Sequence, residues 1–192
     1  MIDEPQSAAL PPATPPSLSD RIRARWRNDM VFFALATAIV AADQFTKWLV
    51  RSNLHRGETW PDNSDAFIRI IHVVNSGAAF GILQGQTLFL IVTSSIGLGA
   101  IILYYVFPPM EHGIIRLALG MQLGGAIGNL IDRVRMGEVT DFIDVGGFPT
   151  FNIADASISI SIAAVLLFFV MQEIDGAGKK RPPEAATPAS DE

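Results

Sequence analysis

Polar side chains with catalytic potential lie beside the apolar stretches of this sequence. Asn129 and Asp132 are three residues apart at the end of one stretch. Asn152 and Asp155 repeat that spacing at the start of the next stretch. Residues three apart project from one face of a helix, so each pair points in a single direction. Asp141 lies on the short connection between the two pairs, and we expect it to meet Asp155 at one site.

Two neighbouring carboxylates favour one economical reaction. Like charges a few ångströms apart cannot both ionise cheaply, so one carboxyl keeps a proton and polarises a carbonyl while the other activates water. Asp141 and Asp155 therefore predict peptide hydrolysis of the aspartic type, with the shared proton assigned to neither residue. A plain helix N-cap at Asn152 or Asp155 is the structural alternative, and the sequence leaves it open.

Three more polar positions lie within or at the ends of apolar stretches. Asp43 and Lys47 are four residues apart, which places them on one helical face as an ion pair. Arg133 follows Asn129 by four residues and shares its face. An ionisable group at the centre of a membrane helix costs about 2.5 to 3.5 kcal/mol, so each group requires a partner or a function. An ion pair and a polar helix end remain the structural alternatives.

Other site chemistries have less support. The chain contains no cysteine, which excludes disulfides, thiolate metal ligands and a cysteine nucleophile. The histidines are too scattered for a zinc site, at His55, His72 and His112. Oxygen ligands suffice for Mg²⁺, so a magnesium site remains an alternative, formed by Asp132, Asp141, Asp144 and Asp155. Otherwise no metal or cofactor is predicted.

The composition places these residues in a membrane protein. The 192-residue chain is 49% hydrophobic and 17% charged, whereas soluble proteins average about 25% charge. A net charge of −5 provides no basic surface for nucleic acid, so no nucleic-acid partner is predicted. Residues 1–28 and 174–192 form Pro-, Ala- and Ser-rich or charged ends. Composition predicts them to be disordered tails around a membrane domain at 29–173.

Four stretches are long and apolar enough to cross a membrane, which requires about 20 residues each. The predicted spans are Met30 to Val50, Thr87 to Phe107, Ile114 to Ile131 and Ala154 to Met171. Between the first two spans, the β-branched run from Phe67 to Val74 predicts a strand ended by a turn at Asn75. Val139 to Val145 predicts a shorter strand. The predicted fold is an α-helical integral membrane protein with four transmembrane helices and a small extracytoplasmic β-sheet subdomain.

Positive charge predicts the orientation of the spans. Four spans place both termini on one side of the membrane, and loops rich in Lys and Arg remain cytoplasmic. The residues flanking the ends of the domain are Arg21, Arg23, Arg25, Arg27, Lys179, Lys180 and Arg181. Fewer positive charges, over longer segments, lie on the other side. We therefore expect cytoplasmic termini and a site near the extracytoplasmic face.

Five blocks of the sequence together resemble one known family. They are Asp43-Gln-x-Thr-Lys47, Asn75-Ser-Gly-Ala-Ala-Phe-Gly81, Gly124-Gly-Ala-Ile-Gly-Asn-Leu-Ile-Asp-Arg133, Val139-Thr-Asp-Phe-Ile-Asp144 and Phe151-Asn-Ile-Ala-Asp155. In this order they are similar to the lipoprotein signal peptidases, or signal peptidase II, from about residue 30 to 172. The Pro-rich N-terminal tail and the short connection at 142–150 depart from typical members without touching a motif residue.

The resemblance implies a bacterial inner-membrane aspartic protease. Such an enzyme removes the signal peptide from prolipoproteins, cutting just before a cysteine that carries diacylglyceryl. It implies Asp141 and Asp155 as the catalytic pair and Asp132 as a support for Arg133. It further implies that Asp43 and Lys47 hold the first span in place, and that four residues line the substrate groove: Asn75, Asn129, Arg133 and Asn152. Lipid would contact the apolar faces of the spans, and a monomer is expected.

Three alternatives to the protease interpretation remain. An ion- or proton-coupled transporter also places charges within spans, although it needs polar steps across the whole membrane. A Mg²⁺-dependent transferase acting on phospholipid head groups would lose all activity on chelation. A membrane scaffold would have no use for a buried polar cluster.

Overall fold

The computed structural model describes residues 18–62, 66–77, 82–107 and 112–179. Its helices are α1 (Leu18–Asn53), α2 (Thr87–Val106), α3 (Gly113–Met136) and α4 (Ile153–Lys179). Its strands are β1 (Thr59–Trp60), β2 (Ile68–Asn75) and β3 (Val139–Val145). β1 and β2 lie between α1 and α2, α3 follows α2, and β3 connects α3 to α4.

All four helices are long and apolar enough to span a membrane, which confirms the predicted architecture. The spanning portions are Asp29–Asn53, Thr87–Val106, Gly113–Met136 and Ile153–Gly176. Many large apolar side chains of α1, α2 and α4 are exposed, as expected for helix faces that contact lipid. The protein is therefore a multi-pass membrane protein.

Two helices extend into segments that composition predicted as disordered tails. α1 begins at Leu18, so residues 18–28 are helical, and α4 continues to Lys179 through residues 174–179. Extending an existing helix adds one hydrogen bond for each residue that becomes ordered, which makes continuation cheaper than nucleation. The rest of the predicted tails, residues 1–17 and 180–192, lies outside the described residues.

Helix α3 is the central helix of the bundle. Within its spanning window 44% of the residues are buried, compared with 6% in α2. Glycines allow the neighbouring helices to approach closely: a Cβ atom on Gly124 would lie 2.7 Å from Ala36 O, and one on Gly125 would lie 2.6 Å from Ala154 O. Glycines recur every four residues along α3, at positions 120, 124 and 128, and this spacing favours close helix packing.

The strands form one antiparallel sheet in the order β1-β2-β3. The two predicted strands are present, and β1 is an addition too short to leave a sequence pattern. β2 and β3 pair so that Val73 is opposite Asp141 and Asn75 is opposite Val139. After β3 the chain turns back, and the amides of Phe142 and Ile143 donate to Phe151 O. This turn places the start of α4 beside the middle of β3.

Candidate active site

Asp141 lies in the middle of β3 and is almost completely buried, with 2% of its surface exposed. Asn152 Nδ2 donates to Asp141 Oδ1 at 2.7 Å, and Asn75 Nδ2 donates to Asp141 Oδ2 at 3.0 Å. The donors come from the start of α4 and the end of β2. Both carboxyl oxygens are therefore held by neutral amides, which orient the group without adding a charge.

Asp155 lies in the first turn of α4 and forms a reciprocal cap with Asn152. Asp155 N donates to Asn152 Oδ1 at 3.0 Å, and Asn152 N donates to Asp155 Oδ2 at 3.3 Å. This is the geometry of a capping box. Asn129 Nδ2 donates to the other oxygen, Asp155 Oδ1, at 2.7 Å. The capping and catalytic interpretations are compatible, because the cap itself fixes the carboxylate.

Asn152 joins the two carboxyl groups. Its side-chain NH₂ donates to Asp141, while its side-chain carbonyl and backbone NH both engage Asp155. The negative charge of Asp155 is close enough to affect the protonation of Asp141. The structure thus brings together the pair that the sequence predicts, although the two aspartates are 14 positions apart in the sequence.

The environment of Asp141 favours its protonated form. Burial raises its pKa to about 6, and the negative charge of Asp155 acts in the same direction. The hydrogen bonds from Asn75 and Asn152 and the positive charge of Lys47 oppose this shift without cancelling it. A carboxyl group that retains its proton near neutral pH can donate a hydrogen bond to a substrate carbonyl.

Lys47 is the centre of a buried ionic cluster, which is linked to Asp155 through Asn129. Its Nζ contacts Asp43 Oδ2 at 2.9 Å, Asp132 Oδ2 at 3.2 Å and Asn129 Oδ1 at 2.9 Å. The three contacts use the three donors of the ammonium group. Asp43 Oδ1 also accepts from Ala154 N at 3.1 Å. The Asp43–Lys47 pair is therefore present, and it ties α1 to α3 and α4.

Lys47 also orients Asn129. Because Asn129 Oδ1 accepts from Lys47 and, at 3.2 Å, from Asn152 Nδ2, its NH₂ group must point toward Asp155. The side-chain amide thus has one arrangement that satisfies all its neighbours. The ionic cluster reaches Asp155 through this single amide.

Among the described residues, Asp132 makes no hydrogen bond or ion pair with Arg133, so the support that the resemblance implies would act only through its negative charge. Asp132 Oδ2 instead contacts Lys47 and accepts from Thr140 N at 3.2 Å. Arg133 Nη2 donates to Gly77 O at 3.3 Å, at the turn after β2. Consecutive residues on a helix point in different directions, so Asp132 and Arg133 serve different sides of α3.

Two residues of the site went unassigned at the sequence level. Gln44 Nε2 donates to Asp132 Oδ1 at 3.2 Å and to Gly128 O at 3.1 Å. A Cβ atom on Gly128 would lie 2.5 Å from Asp43 Oδ2, so this glycine makes room for the ionic cluster as well as for a helix. Gln44 directly follows Asp43 within the first span, and this polar position in an apolar stretch was the sequence signal that could have identified it.

The four aspartates of the magnesium alternative are divided among different partners. Asp144 accepts from Arg69 Nε at 2.9 Å across the sheet, and Asp132 belongs to the Lys47 cluster. Within the described residues, no three His, Asp or Glu side chains are grouped to hold a metal ion. Asp141 and Asp155 are left as the carboxylates that share a site.

Four spans, a small sheet at one end of the bundle, and a buried carboxyl group beside a half-buried one at its edge define a polytopic membrane protein with a candidate hydrolytic centre. A family model described as Signal peptidase (SPase) II matches residues 35–171. The chain belongs to the signal peptidase II family, which makes it a protease. This membership does not favour the transporter or transferase alternative.

Curated relatives match over almost their whole length. A lipoprotein signal peptidase of Dehalococcoides mccartyi (strain ATCC BAA-2266 / KCTC 15142 / 195) is 43% identical over 151 residues, covering 77% of this chain and 93% of the relative. The lipoprotein signal peptidase of Bacillus subtilis (strain 168) is 40% identical over 158 residues, covering 79% and 99%. These relatives cover most of the described helices and the sheet.

Two solved structures share the fold. One, titled a bacterial membrane enzyme structure at 2.3 Å resolution, has a TM-score of 0.68 and 30% identity, covering 81% of this chain and 94% of the other. A second, titled in the same way at 1.9 Å resolution, has a TM-score of 0.65 and 32% identity, covering 72% and 91%.

Proposed function

We propose that the chain is an aspartic endopeptidase that cleaves the signal peptide from diacylglyceryl-modified prolipoproteins, just before the lipidated cysteine. The observation that carries this proposal is the bridge from Asp141 through Asn152 to Asp155, in which amide groups hold a buried and a half-buried carboxyl group at one site. Family membership supplies the substrate class, since the relatives are lipoprotein signal peptidases.

The geometry supports a single-displacement hydrolysis. One carboxylate takes a proton from water as the water oxygen bonds to the scissile carbonyl carbon, and the protonated carboxyl gives its proton to the carbonyl oxygen. The C–N bond of the tetrahedral intermediate then breaks, and the leaving cysteine nitrogen receives a proton from the carboxyl that accepted it from water. The carbonyl re-forms and returns the other proton, so the pair is again singly protonated.

The surrounding polar groups are suited to holding an extended peptide. Asn75, Asn129 and Asn152 position the two carboxyl groups, and their amides can also exchange hydrogen bonds with a substrate backbone as it enters. Arg133 offers further donors beside its contact with Gly77 O. We assign these four residues to the substrate groove.

The site lies at the end of the bundle opposite the termini. Arg133 is near the end of α3 and Asp155 is in the first turn of α4, whereas α1 starts and α4 ends on the other side. Together with the positively charged flanks, this arrangement supports cytoplasmic termini and a catalytic pair near the extracytoplasmic face of a bacterial inner membrane. The described site residues hydrogen-bond to one another, so these contacts require no residue from a second copy, and we propose a monomeric enzyme surrounded by lipid.

The proposal is tested with the purified chain in detergent. It should cleave a diacylglyceryl-modified prolipoprotein before the modified cysteine, as mass spectrometry of the products will show. The rate should be the same with and without a chelator, because a carboxyl pair needs no metal. An inactive, well-folded protein would contradict the proposal, and loss of activity on chelation would favour the magnesium alternative.

The pH dependence follows from the raised pKa of Asp141, about 6. Since activity needs one shared proton, kcat/KM should fall as pH rises above about 6. Initial rates measured across this pH range will show the decline. The folded state binds this proton more tightly than the unfolded chain does, where an aspartate titrates near about 3.9. The stabilisation from this proton is complete below the unfolded pKa and is lost as pH rises through the folded pKa.

Thermal unfolding provides the second measurement of that linkage. The unfolding temperature of Asp141→Asn should exceed that of wild type by more at pH 7 than at pH 4, because asparagine bears no charge to bury. A constant difference across this range, or an alkaline limb that is absent from the rate profile, would contradict the assigned protonation.

A further inference from the structure

A cavity of about 230 Å³ continues from the candidate active site into the membrane between α2, α3 and α4. Its α3 side is a single stripe that includes the site residues Asn129 and Arg133 and, two turns away, Gln122. Ser94 contributes from α2 and Ile158 from α4. Gln122 precedes Asn129 by seven residues, which places it about 10 Å deeper along the helix axis. The cavity is therefore continuous with the proposed substrate groove.

Two polar side chains in this cavity, those of Ser94 and Gln122, have no hydrogen-bond partner among the residues that the structure describes. The hydroxyls of Thr93 and Ser95, on either side of Ser94, donate to carbonyls of their own helix at 2.9 Å (Phe89 O) and 2.8 Å (Ile91 O). In the part of the chain that the structure describes, neither Ser94 nor Gln122 has a side-chain partner, although both are half-buried. A polar group facing hydrocarbon is unfavourable unless a ligand completes its hydrogen bonds.

The proposed substrate brings the complementary groups to this depth. A signal peptide crosses the membrane as a helix, but its backbone must open before the scissile bond so that water can attack the carbonyl. The last four carbonyls of a helix have no partner within that helix. Inside a membrane each of them requires a donor from elsewhere. Those carbonyls must lie a short distance from the catalytic pair on its membrane side.

We propose that Gln122 Nε2 and Ser94 Oγ donate hydrogen bonds to the unpaired carbonyls at the C-terminal end of the substrate's signal helix. This inference rests on the proposed function and adds two substrate-binding residues to it. The distance of about 10 Å corresponds to roughly seven residues of helix or three of extended chain. The bonded carbonyls therefore belong to residues about three to seven positions before the cleavage site.

Steady-state cleavage of the diacylglyceryl-modified prolipoprotein tests this role. Gln122→Leu and Ser94→Ala should each raise KM about fivefold and leave kcat within twofold, because one hydrogen bond made equally in the ground and transition states is lost. Ser95→Ala is the matched control, since the Ser95 hydroxyl is already bonded to Ile91 O. Its KM should equal that of wild type.

Three results would overturn the inference. They are an unchanged KM in Gln122→Leu, an equal rise in KM in Ser95→Ala, and a lower unfolding temperature for Gln122→Leu, which would indicate a structural role. Leucine is expected to preserve folding because the Gln122 side chain makes no hydrogen bond to any described residue. Absence of cleavage by wild type would instead contradict the proposed function, so the two failures are distinguishable.

Discussion

Asp141→Asn and Asp155→Asn should each reduce cleavage of a diacylglyceryl-modified prolipoprotein by about a thousandfold or more. General acid–base groups contribute about 10² to 10⁴ in rate, and a pair that shares one proton loses both functions when either carboxyl becomes an amide. Asparagine has nearly the same shape, and it removes a charge that is costly to bury. Both variants should therefore insert and fold. Initial rates and circular dichroism in the same detergent provide the measurement.

Asp144→Asn is the matched control for this experiment. Asp144 is three positions from Asp141 on β3, and its carboxylate pairs with Arg69 instead of entering the site. Its replacement should leave the rate within about threefold, because the Asp144 carboxylate bonds Arg69 across the sheet and makes no contact with Asp141 or Asp155 among the described residues. More than a tenth of wild-type activity in either Asp141→Asn or Asp155→Asn would contradict the assignment of the pair.

Lys47→Met should destabilise the protein by about 3 to 5 kcal/mol, the cost of removing one partner from a buried ion pair. The side chains of Lys47 and Asp43 are both fully buried, so Asp43 would lose its cationic partner among the described residues. Asp132, which is 1% exposed, would keep only the longer contact of 3.7 Å with Arg51 Nη1. Methionine fills a similar volume, which limits the effect of lost packing. A chemical denaturation curve in mixed micelles measures the change in the free energy of unfolding.

Arg56→Met provides the comparison with an exposed ion pair. Arg56 contacts Glu138 at 2.6 Å, but its side chain is 69% exposed, so its removal should cost about 1 kcal/mol or less. Equal effects of the two substitutions would show that the Lys47 cluster does not stabilise the fold. A variant with all three residues neutral, Asp43→Asn, Lys47→Met and Asp132→Asn, should recover part of the lost stability because none of these three buried positions then carries a charge. Arg51 would lose its contact with Asp132, but its side chain is 27% exposed and can be solvated by water.

The Lys47 substitution should also affect catalysis. Asn129 Oδ1 would lose its charged donor, and its amide could then rotate away from Asp155. We therefore expect a lower kcat in the fraction of Lys47→Met that folds. Through Asn129, the ionic cluster around Lys47 of α1 thus also orients the Asp155 carboxylate of α4.

Particular residues show how far sequence analysis extends. Long, predominantly apolar runs identified all four spans, because the thickness of a membrane directly sets the length of a helix. The run from Phe67 to Val74 marked β2, but β1, with two residues, was too short to produce a pattern. The helical continuations at 18–28 and 174–179 were missed. The polar composition of these segments indicates that they cannot form a hydrophobic core, but it does not indicate how easily an adjacent helix extends into them.

For the candidate site, the sequence by itself determined which residue types were available and where each lay along its helix or strand. The pairing of Asp43 with Lys47 followed from their spacing alone, since residues four apart share a helical face. The meeting of Asp141 and Asp155 was expected from the order of the spans and from the resemblance to a family.

Only the tertiary structure decided which groups contact one another between elements. Asp132 bonds Lys47 and not its neighbour Arg133, and Asn152 bridges both carboxyls. Gln122 faces a cavity beside Ser94, which belongs to another helix. Helical periodicity states the direction of a side chain relative to its own axis. The rotation and depth at which helices pack depend on contacts such as Gly124 against Ala36 and Gly125 against Ala154, and these join residues distant in the chain.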